Sequence, residues 1–447
     1  MLTMRCLRSL ATVVPVAFAA GIAANTAAAT DLISVYEQAR ESDPVFQQAI
    51  ADRKAVEESL PQARAALRPE VNLDTTASFI DAQSNLSGPE VSDDYRQLSY
   101  GVTLTQPIYR YATASAVDQA DARVAQARAR YAAAEQALAL RVAERYFAVL
   151  DARAGLEAAR ASLEAINRQL EQAEQRFAVG VIPRTDVEEA RAQADLAEAE
   201  RLQAEDRLEN QREALRELIG RSPATLAAVR EGIRLEPPKP ADPGTWRQRA
   251  RSGNSELAAA RFAAEAAMSN IEVQRGDRRP TVDLVAGFDG IQQYDRLGSD
   301  RDSDELSASL QLNLPLYQGG GTSAAIRQAQ FRYTEAREAL EEIRRRVSSD
   351  AANAYRGVLT ALRRVEALDQ ARTSTQAALD ATRAGLEVGT RTIVDVLDAE
   401  RERFNAERDF QQARHAYLLN TLELKAAAGA LALADLEQID ALLTDES

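Results

Sequence analysis

The chain repeats itself at long range. FAVGVIPRTDVEEARAQ (Phe177 to Gln193) is answered by LEVGTRTIVDVLDAERE (Leu386 to Glu402), with Gly180 against Gly389 and Asp186 against Asp395 at one shared offset. RPEVNLDTTASF (from Arg68) is answered by RPTVDLVAGF (from Arg279), TLTQPIY (from Thr103) by QLNLPLY (from Gln311), and LRELIG ending at Gly220 by LKAAAG ending at Gly429. A fixed period means one structural unit used twice. Each unit reads strand, strand, very long helix, turn, helix, and that order excludes a single compact core.

Each repeat holds two alternating segments. Val71, Leu73, Thr75, Ala77 and Phe79 fall on one face and Asn72, Asp74, Thr76 and Ser78 on the other; Leu98, Tyr100, Val102 and Leu104 form a second such row before Pro107. Residues 282–314 repeat this, with Val282, Leu284, Ala286 and Phe288 in one strand and Leu306, Ala308, Leu310, Leu312 and Leu314 in the next. The hairpins are expected over residues 71–106 and 282–314, with strands of about ten residues, the length that crosses a bilayer at a tilt. An edge hairpin of a small soluble sheet has the same alternation.

A helix without a breaker follows each hairpin, at residues 112–177 and 323–386, roughly 100 Å long at 1.5 Å per residue. Val142, Val149, Leu156, Leu163, Leu170 and Phe177 recur at heptad spacing, with Ala152, Ala159, Ile166 and Ala173 as a second line, and such spacing asks for partner helices. The second copy has a looser seam, interrupted by Arg372, Thr375 and Thr382. Gly180 and Gly389 stand where a left-handed cap closes each helix. Thr185 with Glu188, and Thr392 with Asp395, fit capping boxes for return helices at 185–219 and 392–428. Residues 30–67 and 246–275 read as single helices of about half length, the first capped by Asp31.

The 27 % charged, 5 % aromatic composition is that of long helices. The formal charge of −14 argues against nucleic acid, which needs a basic footprint. Residues 1–29 read as a signal peptide: Arg5 and Arg8, an apolar stretch from Leu10 to Ile22, then Ala27-Ala28-Ala29. Its removal takes two arginines and Cys6, the only cysteine, leaving no thiol to misbridge in an oxidising compartment or to carry a lipid. No later stretch is apolar enough for a transmembrane helix, so entry into a bilayer requires β-strands.

The domain reading is therefore a signal peptide (1–29), repeat 1 (30–220), a Pro-rich linker or belt outside the helices (221–245), repeat 2 (246–429), and a short, acidic, peripheral tail (430–447). Four strands cannot close a barrel, for which about eight is the practical minimum. An open edge in lipid strands backbone groups at several kcal/mol each. Several chains must share one barrel, eight strands for a dimer and twelve for a trimer, with the long helices continuing from one end as a bundle.

Over essentially the whole mature chain the sequence resembles the TolC family of outer-membrane exit ducts. VYEQARESDP (Val35 to Pro44), LPLYQGGG (Leu314 to Gly321), VGTRTIVDVLDA (Val388 to Ala399) and ALADLEQIDALL (Ala432 to Leu443) carry the resemblance. It implies an α+β membrane protein: a homotrimer in the outer membrane, with four strands per chain in a shared twelve-stranded β-barrel, continuing into a long α-helical coiled-coil barrel through the periplasm. It also implies a periplasmic adaptor protein and an inner-membrane transporter, a proton-driven RND pump or an ATP-driven ABC transporter, as partners in efflux or type I secretion.

Asp395 and Asp398 are three apart on one helical face. Alone, Asp395 reads as the capping acid for Thr392 and Asp398 as a solvated charge. With the family motif they read as two stacked carboxylate rings on a three-fold axis, a periplasmic constriction favouring cations and with raised pKa values. Arg391 matches the arginine of the family's Gly-Thr-Arg turn, and Thr185 and Asp186 the first-repeat turn it meets in relatives, which implies a polar network holding the gate shut. Leu386 departs from the tyrosine of the family pattern, so that network is thinner here. The turns at Gly180, Val181 and Ile182 and at Gly389 and Thr390 lie at the tunnel tip, where relatives meet the adaptor; a plain helix-hairpin cap explains them equally.

Enzyme readings are weak and no cofactor is implied. His415 is the only histidine, expected on a helix surface, and no His or Cys metal spacing exists. Gly319-Gly320-Gly321 lacks the Lys-Ser/Thr of a phosphate loop and reads as a strand-to-helix joint. Two other classes remain in view: a periplasmic adaptor, which would have one helical hairpin and small β-domains, and a structural envelope coiled coil, which needs no bilayer-length strands.

Overall fold

The computed structural model describes residues 30–84, 91–222 and 225–444; the signal-peptide reading lies outside them. The first repeat runs through three short helices, α1 (Leu32–Ser42), α2 (Pro44–Glu57) and α3 (Ser59–Ala65), into strands β1 (Glu70–Ser84) and β2 (Val91–Arg110), the long helix α4 (Tyr111–Ala178) and the return helix α5 (Arg184–Ile219). A connector carries the two-residue strand β3 (Ala228–Val229). The second repeat follows with α6 (Pro243–Gly253), α7 (Ser255–Gly276), β4 (Thr281–Arg296), β5 (Ser299–Asn313), α8 (Gly321–Glu387) and α9 (Ile393–Ala427). The chain closes with α10 (Leu433–Asp440) and β6 (Leu443–Thr444).

The half-length helices expected at 30–67 and 246–275 are interrupted, the first at Asp43 and again at Glu58, the second at Asn254, and Asp43 and Asn254 each start a new helix. Asp43 caps α2 by accepting from the Phe46 amide at 3.0 Å, and Pro44 takes the first helical position, where a missing N–H costs nothing. Asn254 likewise separates α6 from α7 by accepting from the Leu257 amide at 3.1 Å. Apolar periodicity continues across the breaks at Asp43 and Asn254, which is why the pattern alone joins them.

The four long strands form one antiparallel sheet in the order β1-β2-β4-β5. They run 15, 20, 16 and 15 residues, longer than the ten expected. Backbone pairing continues beyond the point where hydrophobic alternation stops, because polar residues satisfy a ladder as well as apolar ones. Pro107 does not end β2; the register shifts between Pro107 and Tyr109, where a residue without an N–H is tolerated. Register sets the two faces. Val71, Leu104, Ala286 and Ala308 lie in one row and Leu73, Val102, Phe288 and Leu306 in the next. The opposite face carries Asn72, Thr103, Gly287 and Ser307 in one row. Leu73, Leu306, Leu310 and Leu312 are exposed in the single chain, so one face carries an apolar band without a protein partner. Tyr100 Oη donates to Asp304 Oδ1 at 3.1 Å where that apolar band gives way to charge.

Helices α4 and α8 pack lengthwise with their return helices, and α4 also lies against α7 and α9. The α4 seam is buried at Val142, Val149, Leu156, Ile166 and Ala173, as the heptads require. The largest core gathers Tyr146, Phe147, Leu215 and Trp246 with Leu422 and Leu436, so it sits at the height of the connector. Phe177, one residue before the end of α4, is exposed in the single chain.

The tail is a structural element rather than a peripheral one. Leu436 and Ile439 are buried, β6 pairs with β3, and Asp440 Oδ1 accepts from the Leu32 amide at 2.8 Å. Thr30 bridges Leu226, and the Tyr146 hydroxyl donates to the Ala227 carbonyl at 2.7 Å. Acidic residues flanking a sparse apolar pattern hide this docking from a sequence reading. Connector and tail form one belt across α4 and α9.

Candidate channel gate and constriction

The two helix hairpins end in near-identical turns. Gly180 and Gly389 have φ of +76° and +75°, a conformation that favours glycine. The Val181 amide donates to the Arg176 carbonyl at 2.9 Å, and the Thr390 amide to Gly385 at 2.9 Å. Ahead of each glycine stands a valine, Val179 and Val388, exposed by 73 % and 75 %. These two were missed in the sequence reading; their matched place ahead of each glycine was the available signal. Val181 is exposed too, while Ile182 is half-buried with Val187, Ala190, Ile393 and Leu397 in a small core that ties the two tips together.

The return helices start differently. Thr392 makes the expected capping box: its Oγ1 accepts from the Asp395 amide at 3.2 Å, and its own amide donates to Asp395 Oδ2 at 2.8 Å. The box expected at Thr185 and Glu188 is absent. Pro183 occupies the cap and fixes the entry, Thr185 Oγ1 donates to Asp186 at 3.2 Å, and Glu188 pairs with Arg184.

Asp395 and Asp398 both stand on the first turns of α9. The Thr392 amide and hydroxyl, helped by Arg391 at 3.9 Å, hold the Asp395 carboxyl below its ordinary value. This is the reverse of the rise expected from like-charge crowding, which needs neighbouring copies. Asp398 pairs with Arg401 at 3.0 Å. Within one chain Arg391 therefore turns to its own helix; among the described residues it makes no hydrogen bond or ion pair with Thr185 or Asp186. Leu386 is half-buried beside this turn.

Higher on the same helices, His415 is buried, not on the surface as expected. Its Nδ1 lies 2.5 Å from Asp151 Oδ1, and its ring stacks on Phe147. No group of three metal-ligating side chains occurs among the described residues, and no described helix is long and apolar enough to cross a membrane.

An apolar-faced sheet with two free edges, joined directly to paired helices of 68 and 67 residues, defines a subunit of a β-barrel channel with a helical tunnel. The chain belongs to the family described as outer membrane efflux protein, matched over residues 35–221 and 246–430. It is 36 % identical over 430 residues to outer membrane protein TolC of Vibrio cholerae, covering 95 % of this chain and 97 % of that one. It is 29 % identical to the alkaline protease secretion protein AprF of Pseudomonas aeruginosa, covering 92 % and 87 %. The solved structure of the outer membrane protein VceC of Vibrio cholerae superposes with a TM-score of 0.73 at 25 % identity, covering 89 % of this chain and 96 % of that one.

Proposed function

We infer that the protein is an outer-membrane exit duct serving efflux and type I secretion, with its helical tunnel in the periplasm. The observation that carries this is the sheet: four strands, an apolar band in register across one face of all of them, and free edges at β1 and β5. Three copies joined edge to edge give twelve strands and a lumen. The face bearing Asn72, Thr103 and Ser307 would line that lumen, and the Leu73 face would meet outer-membrane lipid. The family is one of channels, not enzymes. The periplasmic-adaptor and envelope-coiled-coil readings fall with family membership.

In this reading the turns at Gly180 and Gly389 are the periplasmic tip. Exposed Val179, Val181 and Val388 make it an apolar docking point, which supports contact with a periplasmic adaptor in a complex with an inner-membrane RND or ABC transporter. Asp395 and Asp398 of three copies would form the constriction, with Arg391 reaching Thr185 and Asp186 of its own or a neighbouring chain when the gate is shut. Heat-modifiable migration in detergent gels together with pore currents in planar bilayers tests the duct; a monomer that conducts no ions would refute it.

A further inference from the structure

A cavity of about 800 Å³ opens between α4, α5 and α9, within the size range of small-molecule sites. On α4 it occupies the face turned away from the belt, while on α9 Phe404 and Arg408 also border a second space walled by the belt's Ala228, Val229 and Glu231. Gly155 lines it, and Tyr146, which binds the belt carbonyl of Ala227, stands nine residues earlier, two and a half turns at 3.6 residues per turn. If the protein is the duct proposed above, a belt inside the tunnel would block it, so the belt is outside and this cavity faces the lumen.

Two features of the wall have no explanation within the chain. Ser162 is 6 % exposed, lines the cavity, and its Oγ has no hydrogen-bond partner among the described residues. An unpaired buried hydroxyl carries a desolvation cost that a bound ligand would relieve. Gly155 stands inside a 68-residue helix, where glycine is unfavourable, yet a Cβ there would meet nothing within 4 Å. Packing does not require it; it leaves the cavity wide.

The chemistry of the lining selects a ligand. Arg207, Arg401 and Arg408 border the space, with Phe404 and a floor of alanines. Arg207 has no ion-pair partner among the described residues; Arg401 and Arg408 each pair with one carboxylate, Asp398 and Asp409, and a guanidinium has five N–H donors. Two carboxylates share the wall with these three arginines, Glu200 and Asp151, the latter in contact with His415 at 2.5 Å. We propose that this cavity binds an anionic amphiphile, a molecule with a flat apolar body for the alanine floor and Phe404 and a sulfonate or carboxylate head for the arginines, during passage through the tunnel.

The test is titration calorimetry of naphthalene-2-sulfonate into the detergent-solubilised full chain against an empty-micelle blank. Saturable binding at one site per chain is expected. It should weaken about tenfold in Arg207→Gln, the loss of one charge-assisted contact, and fall with rising salt. Gly155→Leu should abolish it while helicity, oligomeric mass and pore conductance persist, since leucine favours the helix and fills the space. Naphthalene-2-methanol should bind more weakly than the sulfonate, and 2-naphthylmethylammonium more weakly still. No saturable binding, undiminished binding by Gly155→Leu, equal affinity for the ammonium, or loss of assembly in Gly155→Leu (which would make the groove a contact between copies) each overturns the site. Absent pore currents with intact binding would overturn the duct and leave the ligand site standing.

Discussion

Glu400 on α9 is 3 % exposed and accepts from Arg383 of α8 at 2.6 Å, while its second carboxylate oxygen has no partner among the described residues. This buried acid joins the two helices of the second hairpin a few residues above its tip. Replacing Arg383 by Met strands the carboxylate and should cost about 2 kcal/mol of stability, within the range for orphaning a buried group. Arg383→Met/Glu400→Leu should recover most of that loss. Denaturant unfolding decides it; a double variant less stable than the single one would show that the pair itself holds the hairpin.

At the proposed constriction, Asp395→Ala/Asp398→Ala should raise single-channel conductance and weaken block by multivalent cations. The Thr392 contacts depress the Asp395 carboxyl, so in the folded chain it stays charged to a lower pH than a free aspartate, about 3.9. Cation block should therefore persist as pH falls to about 4. Unchanged current records from the double variant would remove these residues from the pore axis.

Arg391→Ser should give a leakier closed channel. Among the described residues the Arg391 side chain has one ion-pair partner, Asp395 at 3.9 Å, so a stronger contact is one made when the tips converge. Several weak pairs around an axis are enough to bias a two-state gate by a few kcal/mol. Equal closed-state leak in variant and parent would exclude the lock.

Burial, with the like charge of Glu144, pushes the Glu423 carboxyl above its ordinary value. The folded chain thus holds that proton more tightly than the unfolded chain. Above the folded pKa the ionised carboxylate destabilises the fold, and below the unfolded value of about 4.3 both states are protonated and the effect vanishes. Glu423→Gln should raise Tm at pH 8 and leave it unchanged near pH 4. A stabilisation of equal size at both pH values would point to packing instead.

Neighbouring residues on β5 should respond oppositely to charge. Leu310→Arg places a cation on the apolar face and should cost about 2–4 kcal/mol if it lies near the bilayer midplane. Ser309→Arg, on the other face, should be tolerated. The heat-resistant oligomer fraction in detergent gels reports the difference; equal loss in both variants would mean that neither face is lumenal.

The duplication, the long helices and the strand faces were legible because each is written in local periodicity. Gly180 and Gly389 were legible because a helix that reverses needs a left-handed residue. What escaped depends on partners far away in sequence. His415 meets Asp151 across 264 residues, and nothing around either one signals the other. Pro183 displaced the cap expected of Thr185, a competition between two plausible starts that only backbone geometry decides. The strands outran their hydrophobic pattern because pairing is a property of the backbone, and their ends lie in polar sequence. The Arg383 to Glu400 contact was hidden among many Arg and Glu residues that pair on the surface.

The belt has a consequence for biosynthesis. Its last stave, Leu443–Thr444, zips onto Ala228–Val229, and its first, Thr30, bridges Leu226. Translation delivers Thr30 long before Leu443, so the belt closes only after every tunnel helix has been made. A nascent polypeptide that has reached only Ala432 would possess all of those helices yet lack the final clasp, leaving the β3 edge at Ala228 and Val229 unpaired.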